Sequence, residues 1–431
     1  MSRQNMEMPT NLAEKLTQAL PPLAAGLLRR ATTAAAEHGY RVYLVGGAVR
    51  DILLGRSGFD LDLSVEGDAI ELAKALATSD EQVTVHHRFN TARLLLNGYH
   101  LDLARSRAET YARPGALPTV RPGPIRADLI RRDFSINAMA ISLNADDCGE
   151  LIDLHHGRDD LNAGLIRVLH PHSFIDDATR LWRAVRYEQR LGFTLEAETL
   201  KLFQRDRGMI TAITPDRQRY ELECALGEPE PEKALQRADS LGLLKLWHPV
   251  FQGDAWLAAA FQQARLLFGE PSPLLYLALL CWRLTPQQKE ALAKTLRLTR
   301  KQYRVLAEST VIGEGLPLLN SIQAAPSRLT ALLAGLDTTV LQAALATPLP
   351  DRARRNIQEF ISVWAQVAPQ LTGDELQAMG VPRGPEIGRL LEEIRDRRLD
   401  GRITSRTEEA DFVVSRLAFL AQPGEDSINR L

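Results

Sequence analysis

The segment from Leu44 to Asp62 constrains the fold more than any other part of this chain. It begins Leu-Val-Gly-Gly-Ala-Val-Arg-Asp-Ile-Leu-Leu-Gly and soon reaches Asp-Leu-Asp, which predicts a strand, a glycine turn, a short helix and a second strand. Alternate residues of a strand point to one face, so Asp60 and Asp62 are expected to project together. Two converging carboxylates repel each other unless a cation lies between them, and Mg²⁺ suits such a pair beside substrate phosphates.

The glycines of this segment, Gly46 and Gly47, are expected to leave backbone N–H groups open at the start of the helix, where a phosphate is favoured. One segment thus offers a phosphate cradle and a metal site, as phosphoryl transfer needs. Asp102 is a third acidic residue on a predicted strand. If that strand lies beside the first pair, Asp102 either completes the metal site or helps to deprotonate an attacking hydroxyl group. The alternative is an ordinary solvated aspartate.

Composition bounds the class of protein. A length of 431 residues suggests roughly three domains, and a net charge of −2 places any nucleic-acid surface in a local patch. Three cysteines far apart in the chain argue against disulfides and favour a reducing cytoplasm. We expect no signal peptide, and the longest apolar run, Leu274 to Trp282, is too short to span a membrane. We therefore expect a cytoplasmic protein with no membrane partner, and the oligomeric state stays unknown.

Apolar periodicity divides the chain into two parts. Residues 11–38 have helical spacing, and from there to Asp153 short apolar runs predict strands, with a helix over Gly67–Ala77. The predicted strands are Val42–Val45, Leu61–Val65, Val83–His86, Thr91–Leu96, His100–Ala104 and Ile136–Leu143. Prolines and glycines predict an irregular loop between Arg113 and Arg126. After about residue 160 the pattern is helical almost throughout, so the predicted fold class is α+β.

A later segment places two arginines and an aspartate before a predicted apolar strand. Arg131 to Ala140 reads Arg-Arg-Asp-Phe-Ser-Ile-Asn-Ala-Met-Ala. Side chains of this kind could reach a triphosphate and ribose hydroxyl groups, because guanidinium groups bind phosphate oxygens in pairs. The alternative is an ordinary surface Arg–Asp pair.

A predicted helix within Asp176–Phe193 carries arginines on one side. At about 100° per residue, one broad face holds Asp177, Arg180, Arg183, Arg186 and Arg190. The opposite side holds Leu181, Trp182 and Val185 and is expected to pack. A solvated helix face usually mixes charges at i, i+4 spacing, whereas an arginine-dominated face favours phosphates. The alternative is a basic solvated helix.

In order and spacing these segments resemble the class II CCA-adding enzymes, tRNA nucleotidyltransferases of the bacterial poly(A) polymerase family. Leu44–Leu63 is similar to motif A, Arg131–Ala140 to motif B, and Asp176–Arg180 to the Glu-Asp-x-x-Arg motif, with Asp176 in place of glutamate. Thr214–Leu226 resembles a later family helix and is expected to be structural. The resemblance implies a polymerase-β-like nucleotidyltransferase head with a small mixed sheet, then an all-helical neck, body and tail. We place these parts at 1–160, 161–235, 236–365 and 366–431.

The resemblance also implies roles for individual residues. Asp60 and Asp62 would hold two Mg²⁺ ions, with Asp102 assisting. The implied triphosphate- and ribose-binding residues are Gly46, Gly47, Arg50, Arg132 and Asp133. An aspartate and an arginine of this family pair with the base edge of the incoming nucleotide, here Asp177 and Arg180, and the residues behind them are Arg183 and Arg186. Aspartate accepts from the amino group of C or A, which G and U lack at that position.

The activity that the resemblance implies is addition of CMP and AMP, from CTP and ATP, to the 3′ end of tRNA without a nucleic-acid template. In the family, a loop like the one that follows Arg105 is associated with the switch from C to A addition. The segment from Leu371 to Gly401 is similar to the tail that holds the tRNA elbow. The alternatives are an A-adding or CC-adding partial enzyme, a poly(A) polymerase and, outside the enzymes, a non-catalytic RNA-binding relative.

Overall fold

The computed structural model describes residues 11–56, 60–77, 82–87, 90–96, 99–110 and 119–421. The chain forms two compact units, Met1–Gly253 and Asp254–Leu431. All strands of the described residues lie in the first unit, and the described part of the second unit is helical. The finer division into head, neck, body and tail remains a prediction.

The strands of the first unit form one main sheet and two small ribbons. In chain order they are β1 Arg41–Val45, β2 Leu61–Glu66, β3 Gln82–His86, β4 Thr91–Leu96, β5 Tyr99–Arg105, β6 Arg107–Thr110, β7 Thr119–Pro122, β8 Met139–Ser142, β9 Leu151–Asp153, β10 Leu165–Ile166 and β11 Thr194–Leu195. The main sheet has the order β3-β4-β5-β2-β1-β8-β9. Its neighbours are antiparallel except β2 and β5, which are parallel. The ribbons are β6 with β7 and β10 with β11.

The helices of the first unit cover the sheet and continue beyond it. They are α1 Ala13–Ala19, α2 Pro22–Glu37, α3 Gly47–Leu53, α4 Ala69–Leu76, α5 Ile125–Ile130, α6 Gly157–Ala163, α7 Ser173–Asp176, α8 Thr179–Leu191, α9 Ala197–Asp206, α10 Pro215–Leu226, α11 Pro231–Ser240 and α12 Leu243–Trp247. Two short 3-10 turns, Ser135–Asn137 and Arg207–Ala212, lie between them.

Strand β1, which lies between β2 and β8, is buried on both faces. Tyr43 and Val45 pack against Ile125 and Leu129 of α5, and α2 also packs against β1. Alternate residues of a strand point to opposite faces, so a strand covered on both sides needs a continuous apolar run. Residues 42–45, Val-Tyr-Leu-Val, are such a run, and all four are buried.

The α+β class is confirmed, and so are most of the predicted strands. The prediction over Ile136–Leu143 is wrong at its start, because a 3-10 turn precedes β8. The loop predicted between Arg113 and Arg126 is wrong at its end, where Thr119–Pro122 forms β7 and Pro124 caps α5. Proline tolerates both a ribbon edge and the position before a helix, so its presence did not exclude regular structure. Residues 111–118 of that loop lie outside the described residues.

The described part of the second unit is helical, and most of its helices begin with proline or follow a polar capping residue. They are α13 Ala255–Phe268, α14 Pro273–Leu280, α15 Pro286–Thr295, α16 Arg300–Leu319, α17 Pro326–Leu333, α18 Thr338–Ala346, α19 Asp351–Ser362, α20 Gly373–Ala378, α21 Pro385–Leu399 and α22 Arg406–Ala421, with a 3-10 turn at Trp364–Gln366. Capping boxes satisfy backbone N–H groups at three starts, where the capping residues are Thr285, Thr299 and Thr372.

Among the described residues, no single helix is long and apolar enough to cross a bilayer. One pair, Pro326–Leu333 with Thr338–Ala346, passes that test of length and composition together, but it bends by 111° between its members.

Candidate active site

Three carboxylates meet at the edge where β2 begins. β2 and β5 are parallel in the register Asp62 to Asp102, so these two side chains lie beside each other on one face. Asp60 is exposed and immediately precedes β2. Because Asp60 lies before the strand, as the predicted bounds Leu61–Val65 also have it, alternation within β2 does not set its direction. Asp60 still lies close enough to contribute repulsion at Asp62, so the predicted trio is brought together.

The surroundings of Asp62 disfavour the ionised form of its carboxyl group. Burial raises the pKa of its carboxyl group to about 6, and repulsion from Asp102 and Asp60 adds to the effect. The nearby guanidinium groups of Arg132 and Arg93 lower this pKa in part. The nearby arginines therefore only partly neutralise the negative charge of the carboxylates at this site.

The cation that contacts this trio most directly, Arg93, was not singled out from the sequence. On β4 it lies opposite Asp102. Its Nε and Nη2 donate to the two oxygens of Asp102, each at 2.7 Å. A sequence signal for this pair exists, because an Asn-Gly dipeptide between two apolar runs predicts a tight hairpin. The sequence has Asn97-Gly98 at this place, and the observed register, with Leu96 opposite Tyr99, places Arg93 opposite Asp102.

The glycine turn lies next to Arg132. Gly46 has φ +69° and precedes α3, a conformation that side chains rarely adopt. A Cβ atom on Gly46 would lie 2.9 Å from Nη1 of Arg132, so the absence of a side chain permits this close approach. The expectation that both glycine N–H groups are open is wrong for Gly46, whose N–H donates to the Met139 carbonyl at 3.4 Å.

Arg132 is held from one side and has donors to spare on the other. Its Nη2 donates to Oδ2 of Asp128 at 2.9 Å. Its Nε is buried and has no hydrogen-bond partner among the described residues. Burial alone would raise the pKa of Asp128, but Arg132 and Arg131 keep it below its ordinary value. Asp128, which the sequence did not mark as important, therefore anchors this arginine as a carboxylate.

Arg50 and Asp133 belong to one buried chain of hydrogen bonds. Arg50 donates from Nη1 to Oδ1 of Asn137 at 2.8 Å and also pairs with Asp51. Asn137 donates to Oδ1 of Asp133 at 3.1 Å, and Arg183 of α8 donates from Nε to Oδ2 at 2.8 Å. Burial would raise the pKa of Asp133, but Arg183 and Asn137 hold it below its ordinary value. The chain links α3, the 3-10 turn and α8.

The arginine-dominated face of α8 differs from the prediction in two ways. Asp177 lies before the helix in an extended conformation, so it is not part of that face. The arginines are also not left for phosphates alone, because acids from other elements pair with them. Arg186 pairs with Glu221 and Glu228, and Arg190 with Glu228.

The apolar side of α8 behaves as predicted. Leu181, Trp182 and Val185 are all fully buried. This burial fixes α8 against the rest of the unit, so the positions of its arginines are set by packing.

The proposed base-reading pair lies at the start of α8. Arg180 is buried, and its guanidinium donates to the carbonyls of Arg131 at 2.7 Å and Ser173 at 3.3 Å. Oδ1 of Asp177 accepts from Thr179 and, at 2.7 Å, from Nη2 of Arg217. Arg217 lies in the first turn of α10, which we expected to be structural. The spacing of the sequence contains no signal that joins α10 to Asp177.

A divalent cation suits this donor set. Within the described residues, no group of three or more His, Cys, Asp or Glu side chains could hold a metal ion, so the three acids do not form a three-ligand site. Mg²⁺ usually takes one or two carboxylates and completes its shell with water and substrate phosphates. Asp60 and Asp62 supply such a pair, and the repulsion at Asp62 is what a cation would relieve.

Comparison with known proteins adds independent information. Residues 42–167 match the poly A polymerase head domain, and residues 192–253 match the probable RNA and SrmB-binding site of polymerase A. The chain is 34% identical to an A-adding tRNA nucleotidyltransferase of Geobacter sulfurreducens, over 93% of this chain and 48% of that protein. It is 33% identical to a CC-adding tRNA nucleotidyltransferase of Deinococcus radiodurans, over 85% of this chain and 87% of that protein. The chain thus spans about half the length of the A-adding relative.

Solved structures agree along nearly the whole chain. A CCA-adding enzyme in an apo form has 30% sequence identity and a TM-score of 0.77, over 94% of this chain and 99% of that one. The Thermotoga maritima CCA-adding enzyme complexed with tRNA has 28% identity and a TM-score of 0.71, over 94% and 98%. A complex of a CCA-adding enzyme with ATP has 29% identity and a TM-score of 0.75, over 94% and 99%.

Proposed function

Because the chain belongs to the family of tRNA nucleotidyltransferases with a poly(A) polymerase head domain, we propose that it adds CMP and AMP to the 3′ end of tRNA without a nucleic-acid template. In this reaction the 3′ hydroxyl group of the RNA attacks the α-phosphate of CTP or ATP. The new phosphodiester bond forms as the bond to pyrophosphate breaks. The proton of the hydroxyl group must pass to a base.

The observation that carries this proposal is the meeting of Asp60, Asp62 and Asp102 at one edge of the sheet. Asp60 and Asp62 would hold Mg²⁺. When bound there, Mg²⁺ neutralises negative charge on the phosphates and on the attacking oxygen. Asp102 is positioned to help to deprotonate the 3′ hydroxyl group or to complete the metal site, because it is the register partner of Asp62.

Arg132 is the proposed triphosphate ligand. Its buried Nε has no partner among the described residues, and its Nη1 lies beside the glycine turn, 2.9 Å from where a Cβ atom on Gly46 would be. A phosphate oxygen would satisfy these donors. Gly46 and Gly47 let the nucleotide approach the backbone there. Arg50 and Asp133 both contact Asn137, and these hydrogen bonds hold the residues proposed to bind the triphosphate and the ribose in place.

Asp177 and Arg180 are the proposed base-reading residues. An aspartate accepts from the exocyclic amino group of C or A, and an arginine donates to a ring nitrogen or carbonyl. Arg217 and Thr179 hold Oδ1 of Asp177, which orients the carboxylate for that contact. Arg183 and Arg186 lie behind the pair and stabilise α8 through Asp133 and Glu221.

The proposed partners are tRNA, CTP and ATP, which relatives of this fold bind in solved complexes with tRNA, with ATP and with CTP. Cytoplasmic action is part of the proposal, because the three cysteines, Cys148, Cys224 and Cys281, are free. The similar proteins include A-adding, CC-adding and CCA-adding enzymes, so the test must treat each nucleotide separately.

The test uses three tRNA substrates, ending in the discriminator base, in C and in CC. Each is incubated with Mg²⁺ and with CTP, ATP or both, and separately with GTP or UTP, and the products are sequenced. We expect CCA from the first substrate with both nucleotides, and neither GMP nor UMP from GTP or UTP. Growth by A alone, or only to CC, would instead identify a partial enzyme.

The variant Asp60→Ala separates an enzyme from a non-catalytic RNA-binding relative. We expect it to lose extension while its affinity for tRNA, measured by filter binding, is retained. Failure of the unmodified protein to extend any of the three substrates would contradict the proposal.

A further inference from the structure

Asp102, the third carboxylate of the site, forms an ion pair with Arg93. Strands β4 and β5 are antiparallel with these two residues opposite each other, so both side chains lie on the same face. Two parallel hydrogen bonds of 2.7 Å use both oxygens of Asp102. Such a side-by-side arrangement is the strongest geometry that an arginine and a carboxylate form.

This contact conflicts with the roles proposed for Asp102. A carboxylate whose two oxygens both accept from one guanidinium is poorly placed to accept a proton from a hydroxyl group or to bind a cation. Each oxygen keeps a second lone pair, but the adjacent guanidinium group lowers the basicity of the carboxylate and its attraction for a cation, so Asp102 acts fully only when this contact loosens. Arg93 therefore competes directly with the 3′ hydroxyl group and with the metal ion.

The ion pair is weak enough to open. The side chain of Arg93 is 55% exposed and that of Asp102 is 32% exposed. Water screens exposed pairs and both side chains lose freedom in them, so this contact can exchange with solvent even in its bidentate geometry. Arg183 with Asp133 is a useful contrast, since the carboxylate of that pair is only 8% exposed and is held by further hydrogen bonds.

We propose that Arg93 is a positioning residue that holds Asp102 in the metal-free protein and exchanges it for the divalent cation when the site is loaded. This inference rests on the proposed function, because it requires a metal ion at Asp60 and Asp62. In the free protein the guanidinium offsets the charge of three carboxylates. Binding of the cation replaces the contact between Arg93 and Asp102, so Arg93 raises the dissociation constant of the metal ion.

The experiment measures binding of Mn²⁺, a paramagnetic stand-in for Mg²⁺, by electron paramagnetic resonance without nucleotide. The proteins are the unmodified chain, Arg93→Gln, Arg93→Lys and Arg304→Gln. Arg304 is the matched control, because it is 58% exposed and pairs with Glu308 in the other unit. Removing one positive charge beside the site should lower the dissociation constant of Mn²⁺ about three- to tenfold in Arg93→Gln, after allowance for screening.

Rescue distinguishes a charge effect from a structural one. Arg93→Lys keeps the charge but cannot form both hydrogen bonds, so we expect it to lie between the unmodified protein and Arg93→Gln. Arg304→Gln should bind Mn²⁺ as the unmodified protein does. An unchanged or weaker affinity in Arg93→Gln would overturn the role of Arg93.

Failure of the proposed function would look different. If the unmodified chain and Asp62→Asn bound Mn²⁺ equally weakly, the metal site itself, and with it both proposals, would be overturned.

Discussion

Asp62 illustrates how one residue can favour function at the expense of stability. Its carboxyl group is largely buried next to two other acids, and its pKa is raised from 3.8 to about 6. Charged groups in such surroundings are retained where a ligand later compensates them. In the present site that ligand is the proposed cation.

The pH dependence of this cost has a definite sign. Because its pKa is higher in the folded protein, Asp62 binds more protons there than in the unfolded chain between about pH 4 and pH 6. The free energy of unfolding therefore falls as the pH rises through this window and levels off above it. We expect Asp62→Asn to be more stable than the unmodified chain by about 2–3 kcal/mol at pH 7.5, and the gain to vanish near pH 4.

Urea denaturation without divalent cations, at both pH values, measures this difference. The control is Asp411→Asn, which removes an exposed carboxylate of α22. We expect it to leave the stability almost unchanged. Equal stability of Asp62→Asn and the unmodified protein at pH 7.5 would show that Asp62 carries no such penalty.

At the scale of elements, the turn between β1 and α3 brings the site together. Gly46 and Gly55 both have φ close to +69°, one before α3 and one after it. Gly46 lies against Arg132, whereas a Cβ atom on Gly55 would have no atom within 4 Å among the described residues other than its chain neighbours. Substitutions at these two glycines can therefore distinguish the effect of backbone strain from the effect of contact with Arg132.

Alanine at either glycine should cost about 1–3 kcal/mol of stability, because a side chain disfavours a backbone with positive φ. We expect Gly46→Ala also to displace Arg132 and to raise the KM for CTP, while Gly55→Ala leaves that KM unchanged. Urea denaturation and steady-state kinetics on the two variants measure the two effects. A raised KM in both would show that strain alone disturbs the site.

At the scale of the whole molecule, the chain divides between Gly253 and Asp254. Every residue of the candidate site lies in the first unit. The second unit has its own apolar clusters, one of which contains Leu371, Leu376, Val381, Leu390, Ile394 and Val413. The tRNA contacts implied for the tail lie in this second unit.

This division predicts that residues 1–253 alone bind CTP as tightly as the whole chain does but bind tRNA more weakly. Isothermal titration with CTP and filter binding with tRNA measure the two affinities. The matched control is the whole chain under the same conditions. Equal tRNA affinity for both proteins would contradict a role of the second unit in RNA binding.

The local sequence pattern was sufficient to predict most strands of the sheet and the family of this protein. Apolar alternation predicted most strands of the sheet, and the order of glycines, acids and arginines predicted the family, which the comparisons confirm. An Asn-Gly dipeptide between two apolar runs also predicts a hairpin in which Arg93 and Asp102 are opposite each other, as the pairing of the two strands has them. Signals of this kind are local because hydrogen-bonded strands and tight turns are formed by neighbours in the chain.

Charge partners were decided by the tertiary structure alone. Glu228 lies 42 residues from Arg186, and Arg217 lies 40 residues from Asp177. Helical periodicity places the arginines of α8 on one face, but it is silent about the acids that other elements bring to them. Electrostatic pairing acts through space, so which arginines are neutralised and which remain for phosphates follows only from the packing of distant elements.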